Sequence, residues 1–132
     1  MAGLILSGVI GDVFSYAARS YNRIYIARTI SKAEKMVSQD RYDKAIELYE
    51  KAYAKISSSM NDDKTEILAA KIKNNQGLCL SKRFEKTKDV LDFKQALSLF
   101  EEAYATYKKI KNGELADQTE QNIKILENMA EV

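Results

Sequence analysis

The 132-residue chain has no proline, no histidine and no tryptophan, and it has only one cysteine and five glycines. Without proline there are few enforced helix breaks, so long helices are the first expectation. Without histidine the chain lacks the most common general base and the most common metal ligand. It also has no glycine-rich phosphate loop and no cysteine spacing typical of a metal site. We therefore expect no enzyme activity, no cofactor and no bound metal.

The charge balance and the single cysteine limit the remaining classes. The net charge is +2, from 21 basic and 19 acidic residues, which is too small an excess to predict binding to nucleic acid. Cys79 is the only cysteine and cannot form an internal disulfide, so a reducing, cytoplasmic compartment is the simpler expectation. Apolar residues make up 45% of the chain and charged residues 30%. This composition is typical of a globular domain rather than a disordered segment.

One pattern of small and aromatic residues occurs twice in the chain. Residues 42–54 read YDKAIELYEKAYA, and residues 93–105 read FKQALSLFEEAYA. In each copy an alanine, an aromatic residue and a second alanine recur at i, i+4 and i+7, which is the spacing of one helix face. The alanines let a neighbouring helix approach closely, and the ring fills the space beside them. We expect both copies to be helices with equivalent packing.

Further helical stretches flank the two copies. Residues 24–39 precede the first copy, a long stretch ending near residue 86 precedes the second, and the last helix ends the chain. The expected connections lie at residues 39–41, 57–63, 88–92 and 112–113. Two helices joined by a short turn pack as an antiparallel hairpin. The sequence therefore predicts an all-α fold with five or six helices and no sheet.

The hairpins resemble the tetratricopeptide repeat (TPR) family, whose unit is a helix–turn–helix of about 34 residues with small and aromatic residues at fixed offsets. The matching positions are Ala33, Tyr42, Ala45, Tyr49 and Ala52 in one unit, and Asn74, Gly77, Leu78, Phe93, Ala96, Phe100 and Ala103 in the other. The copies lie 51 residues apart, counted from Tyr42 to Phe93, and the proline that often closes the motif is absent. The resemblance implies two TPR-like antiparallel helical hairpins, residues 24–111, stacked as a short solenoid. An N-terminal helix, residues 1–23, and a C-terminal capping helix, residues 112–132, complete the expected organisation.

The resemblance also implies a function. In this family the first helix of each unit lines a groove that binds a peptide or a helix of a partner protein. Carried over by position, the predicted groove consists of Ala27, Ile30, Glu34, Val37, Lys71, Asn74, Leu78 and Lys82. The expected function is a non-catalytic protein–protein interaction module, an adaptor or scaffold. Its expected ligand is a peptide or an amphipathic helix with acidic edges. The acidic terminal helix of the chain, through Ile123, Leu126 and Met129, is an alternative occupant of this groove.

Residues 1–23 are predicted to form an amphipathic helix. Its apolar half includes Ile5, Val9, Ile10, Val13 and Phe14, the predicted oligomer or membrane contacts. Three alternatives stay open: the helix covers the exposed core of the hairpins, it drives homo-oligomerisation, or it makes peripheral contact with a membrane. The alternative functions are accordingly a self-assembling structural subunit and a membrane-associated adaptor. The expected location is cytoplasmic, with membrane association as the alternative.

Overall fold

The computed structural model describes residues 3–9, 20–57 and 63–131 of the chain. Over these residues the fold is all-α, with five helices and no strand. The helices are α1 (Ser20–Ser38), α2 (Tyr42–Ser57), α3 (Asp63–Thr87), α4 (Val90–Ile110) and α5 (Gly113–Ala130). Each helix packs against the next one along the chain, and α3 also contacts α5. The predicted all-α class is confirmed for this part of the chain.

Residues with a left-handed backbone mark the ends of three helices. Asp40, Lys88 and Lys111 have φ angles of 58°, 60° and 65°. A residue in this conformation after the last helical turn is a common way for a helix to end. At the third of these ends, the Asn112 side chain then accepts a hydrogen bond from the backbone N–H three residues later (3.1 Å) and caps α5. The turn expected at residues 112–113 therefore begins one residue earlier.

The two copies of the repeated pattern lie in α2 and α4 and bury equivalent positions. The residues with 0% exposure are Ala45, Tyr49 and Ala52 in α2, and Ala96, Phe100 and Ala103 in α4. Gly77 on α3 allows the Phe100 ring to come very close, because a Cβ built on this glycine would lie 2.7 Å from the ring atom Cε1. Protein interiors are packed too tightly for such an overlap, so a side chain at this position requires the ring to move.

Helix α3 is the centre of the fold. Residues 74–81 are all buried, and eight consecutive residues span more than two helical turns, so every side of α3 is covered there. The stretch reads NNQGLCLS, which is half polar. Cys79 is 0% exposed, and burial raises the pKa of its thiol to about 12. At neutral pH the thiol is protonated, so Cys79 is a small core residue.

Arg83 joins three helices through its guanidinium group. Its Nε and Nη2 atoms donate to the two carboxylate oxygens of Asp92 on α4 (2.9 and 2.7 Å), and its Nη1 atom donates to Asp43 on α2 (2.8 Å). These hydrogen bonds, those to Asp92 first, raise the pKa of Arg83 above its ordinary value. Asp92 is only 4% exposed. The two-point pair therefore holds the start of α4 against the end of α3 with charge-assisted hydrogen bonds.

The prediction of an N-terminal helix over residues 1–23 is wrong for residues 3–9. These residues adopt no helix. The backbone groups of Ile5 and Ser7 bond to side chains of α3 and α5, whereas a helix would use the same groups within its own turns. Groups at alternate residues face the same side in an extended chain, so the backbone from Ile5 to Ser7 is extended. The predicted contacts Ile10, Val13 and Phe14 lie outside the described residues.

The variant Tyr49→Phe is expected to change the free energy of unfolding by less than about 0.5 kcal/mol, or to raise it. Burial raises the pKa of the Tyr49 phenol; the nearby Asn75 side chain opposes this shift, but no hydrogen bond of good geometry joins the two. A buried hydroxyl without a partner does not stabilise the fold, and Phe100 occupies the equivalent position in α4. Urea denaturation measures the effect. A loss above about 1 kcal/mol would show that the hydroxyl is hydrogen-bonded in solution.

Candidate peptide-binding site

Three asparagine side chains hold the backbone of residues 3–9. Asn74 and Asn75 lie on α3 and Asn122 lies on α5, and their exposed fractions are 1%, 0% and 0%. These three residues are the asparagine clamp. An asparagine side chain ends in the same amide group as a peptide bond, with a carbonyl acceptor and an N–H donor. It can therefore pair with a backbone as a neighbouring β-strand does.

The clamp binds both backbone groups of Ile5. The N–H of Ile5 donates to Asn122 Oδ1 (2.7 Å), and its carbonyl oxygen accepts from Asn122 Nδ2 (3.0 Å) and from Asn74 Nδ2 (2.9 Å). Asn122 thus forms a two-point pair with Ile5. Its Nδ2 atom also donates to Asn74 Oδ1 (2.8 Å), which connects α5 to α3. The position of Ile5 is therefore fixed by two helices at once.

Asn75 binds Ser7 in the same way. The N–H of Ser7 donates to Asn75 Oδ1 (2.8 Å), and its carbonyl oxygen accepts from Asn75 Nδ2 (2.9 Å). The hydroxyl of Ser7 makes a longer contact with Asn74 Nδ2 (3.3 Å). Two-point pairs at alternate residues also fix the register, because a shift of one residue would turn these backbone groups away from the clamp.

The side chains of residues 3–9 complete the apolar core. Val9 is 0% exposed and belongs to the same buried cluster as Ile30 on α1 and Leu78 on α3. Leu4 and Leu6 are partly buried against this cluster. Val9, one of the predicted oligomer or membrane contacts, is therefore covered by the chain itself, and the clamp holds the backbone of Ile5.

The predicted groove is in part the surface on which residues 3–9 pack. Ile30, Asn74 and Leu78 are buried, and Ala27, Glu34, Val37, Lys71 and Lys82 are partly buried. Ile30 and Leu78, two apolar residues of the predicted groove, share their buried cluster with Val9. Asn74 belongs to both the predicted groove and the clamp. Asn75 and Asn122 are absent from the predicted set, although two adjacent asparagines in a helix covered on all sides indicate that polar partners must be present.

The clamp is uncharged, and Glu34 of the predicted groove has a raised pKa. Burial raises the pKa of Glu34 above its ordinary value, which makes this carboxylate easier to protonate than an exposed one. The amide groups of the clamp carry no charge. Pairing between the clamp and a peptide backbone is therefore independent of the protonation of the clamp itself.

Helix α5 builds one side of the clamp and packs its apolar face elsewhere. Leu126 is 0% exposed and belongs to a second buried cluster, with Leu80 on α3 and Phe100 on α4. Ile123 and Met129 are partly buried against this second cluster. At the clamp itself the occupant is therefore residues 3–9, and α5 contributes Asn122.

The net free energy that holds residues 3–9 is small. The five hydrogen bonds to the backbone of Ile5 and Ser7 contribute about 1 kcal/mol each. Burial of Val9 and of parts of Leu4 and Leu6 contributes roughly 4–6 kcal/mol. Ordering the backbone of seven residues costs roughly 7–14 kcal/mol. The favourable and unfavourable sums differ by only a few kcal/mol, so residues 3–9 can fill the clamp in most molecules and a second peptide with the same contacts can still compete for it.

We also considered clefts, metal-binding clusters and membrane-spanning helices among the described residues. A cleft of about 520 Å³ lies between the start of α2 and the end of α3, and its lining includes Asp43, Arg83 and Lys86. Asp43 is already bound to Arg83. No group of three or more histidine, cysteine, aspartate or glutamate side chains in the described ranges is placed to hold a metal ion. None of the helices α1 to α5 has the length and apolar character needed to cross a membrane.

The fold and the site define a small all-α protein in which three buried asparagines hold an extended peptide segment. Compared with family models, with curated proteins and with solved structures, the chain has no significant match.

Proposed function

We propose that this protein is a non-catalytic interaction module that binds an extended peptide segment of a partner protein at the asparagine clamp. The observation that supports this function is the clamp itself. Three buried amide side chains pair with backbone groups at two alternate residues of a segment that is not part of any helix. Main-chain hydrogen bonds of this kind provide affinity for extended peptides, and adjoining apolar pockets provide selectivity.

The helix order supports a TPR-like arrangement. Helices α1 and α2 form one hairpin, and α3 and α4 form the next; α2 and α4 bury the same pattern of residues. Residues 3–9 contact α3 and α5 through the clamp and share a buried cluster with α1. In this proposal α1, α3 and α5 line the inner face of a short solenoid. Helix α5 acts as the capping element, since two repeats alone leave a core face exposed.

An extended ligand fits the clamp better than the amphipathic helix considered from the sequence. A helix uses its backbone N–H and C=O groups within its own turns. It would leave Asn122 Oδ1 and Asn75 Nδ2 without the backbone groups that they bind, and each buried polar group without a partner costs about 1–3 kcal/mol. An extended peptide satisfies both amides at once.

A random-peptide display library selected against the full chain is expected to yield binders that depend on the clamp. Measured in a chain that also carries Ser7→Pro, which removes a backbone N–H that holds residues 3–9 in the clamp, Asn74→Ala should weaken each binder by at least about tenfold, because it removes an amide that donates to the bound backbone. Lys44→Ala in the same chain is the matched control, since Lys44 is an exposed residue of α2 that pairs with its own helix neighbour Glu47, and its affinities should be unchanged. Fluorescence anisotropy measures the affinities, and circular dichroism checks that both variants stay helical. Failure to enrich any peptide over an unrelated helical protein would reject the proposed function, as would equal affinities for both variants.

A further inference from the structure

We infer that the clamp takes extended aliphatic peptides with a small residue at the position of Ser7, and that residues 3–9 are a built-in competitor that such a peptide must displace. This inference rests on the proposed function and adds to it the class of ligand and the way in which access is limited. It follows from three properties of the bound segment: its backbone pairing, the space around each side chain, and its position in the same chain.

The backbone pairing sets the first requirement for a ligand. Asn122 and Asn75 each accept one N–H and donate to one carbonyl oxygen, at residues 5 and 7 of the segment. A ligand must therefore offer a free N–H at both equivalent positions. Proline or an N-methylated residue lacks this donor and does not fit at either place.

The space around the side chains sets the second requirement. Ser7 is 6% exposed and Val9 is 0% exposed, so the ligand needs a small residue at the first position and an aliphatic residue at the second. Gly8 lies between them and is exposed, and a Cβ built on it would meet no atom within 4 Å. The ligand class is therefore an extended peptide with aliphatic residues, a small residue, a variable residue and a further aliphatic residue, in that order.

The third property is that residues 3–9 of the same chain already occupy the clamp. A ligand binds only the fraction of molecules in which the clamp is empty, so the apparent affinity falls in proportion to that fraction. A substitution that loosens residues 3–9 without altering the clamp should therefore tighten the binding of a separate peptide.

The test uses a fluorescent peptide carrying residues 3–9 with a soluble lysine tail, and the full chain as receptor. The variant Ser7→Pro removes the N–H that donates to Asn75 and should raise the affinity for this peptide at least tenfold over wild type. The matched variant Ser7→Ala keeps that N–H and should leave the affinity within about threefold, because only the 3.3 Å contact to Asn74 is lost. Asn122→Ala added to Ser7→Pro should reverse the gain, and a peptide N-methylated at the Ser7 amide should bind at least tenfold more weakly than its parent.

Hydrogen exchange on the unaltered chain gives a second measurement that does not depend on how the proline variant folds. The amides of Ile5 and Ser7 should exchange at least tenfold more slowly than that of Gly8, and excess peptide should speed their exchange as residues 3–9 leave the clamp. Unprotected Ile5 and Ser7 amides, or protection that excess peptide does not change, would overturn the inference. Equal binding of the N-methylated and parent peptides would also overturn it.

Two outcomes separate this inference from the proposed function. If library peptides bind through Asn74 but the peptide of residues 3–9 neither binds nor competes with them, the interaction module stands and the built-in competitor is rejected. If light scattering shows a wild-type dimer that Ser7→Pro converts to a monomer, the clamp is filled by residues 3–9 of a second copy, and competition within one chain is again rejected.

Discussion

The variant Phe100→Ala is expected to lower the free energy of unfolding by about 3–5 kcal/mol. The Phe100 ring is 0% exposed and belongs to the cluster that joins α3, α4 and α5, so its removal leaves a cavity where these helices meet. The site cannot collapse easily, because Gly77 on the facing side of α3 offers no side chain to fill the space. Chemical denaturation followed by circular dichroism measures the loss. A loss below about 1.5 kcal/mol would show that the ring is not packed between these helices.

The same contact can be tested from the side of α3. Gly77→Ala places a Cβ 2.7 Å from Phe100 Cε1 and should cost about 1–3 kcal/mol. The double variant Gly77→Ala/Phe100→Leu should lose less than the sum of the two single variants, since a smaller side chain makes room for the new methyl group. Gly113→Ala is the matched control: it lies at the start of α5 with no atom within 4 Å of the added Cβ, and its effect should stay within about 0.5 kcal/mol. Strict additivity of the two single variants would show that they do not touch.

The burial of Phe100 illustrates what the sequence could predict. Phe100 stands out because small and aromatic residues recur at helical spacing in two copies, whereas Gly77 lies outside both copies and stands out only as a position that resembles the TPR motif. Such a pattern depends only on local periodicity, which survives in any fold that packs these helices side by side. The same reasoning located the short connections at residues 39–41 and 88–92, because a helix that must end leaves polar capping residues in the sequence.

The N-terminal segment shows where the same reasoning fails. Residues 4–6 read Leu-Ile-Leu, and a short run of apolar residues fits a helix and an extended chain equally well. The choice is made by partners far away in the sequence: Ile5 pairs with Asn122, 117 residues along the chain, and Ser7 pairs with Asn75, 68 residues along. A helical-wheel projection of residues 1–23 contains no information about either of these two pairs.

Helix α3 could be predicted from the sequence only in part. Its helical character was predictable, but its burial on every side was not, because the stretch NNQGLCLS reads as half polar. A helix with one solvated face needs no partners for its asparagines, whereas a central helix needs a partner for each of them. Asn74, which the sequence assigned to a partner-binding groove, contacts Ile5 and Ser7 of its own chain. The predicted groove includes Ile30 and Leu78, but the prediction did not place Val9 in the same buried cluster as these two residues.

The variant Arg83→Met is expected to lower the free energy of unfolding by about 2–4 kcal/mol. Asp92 is 4% exposed and would lose both hydrogen bonds of its two-point pair while remaining buried. Breaking a fully buried pair in this way costs about 3–5 kcal/mol. The expected loss is somewhat smaller because the Arg83 side chain is 35% exposed, so water can reach the carboxylate once the guanidinium is gone.

A double variant distinguishes two contributions to the lost stability: the loss of the Arg83–Asp92 pair, and the burial of the Asp92 carboxylate without its cation. Arg83→Met/Asp92→Leu removes both partners, and it should be more stable than Arg83→Met alone, because no buried carboxylate is left without its cation. Lys124→Met is the matched control: its pair with Glu120 is exposed and lies within one helix, so its loss should stay within about 0.5 kcal/mol. Denaturant midpoints of the four proteins decide the question. If Arg83→Met and Lys124→Met cost the same, the contact between α3 and α4 does not depend on this pair, and apolar packing around Gly77 and Phe100 holds the two helices together by itself.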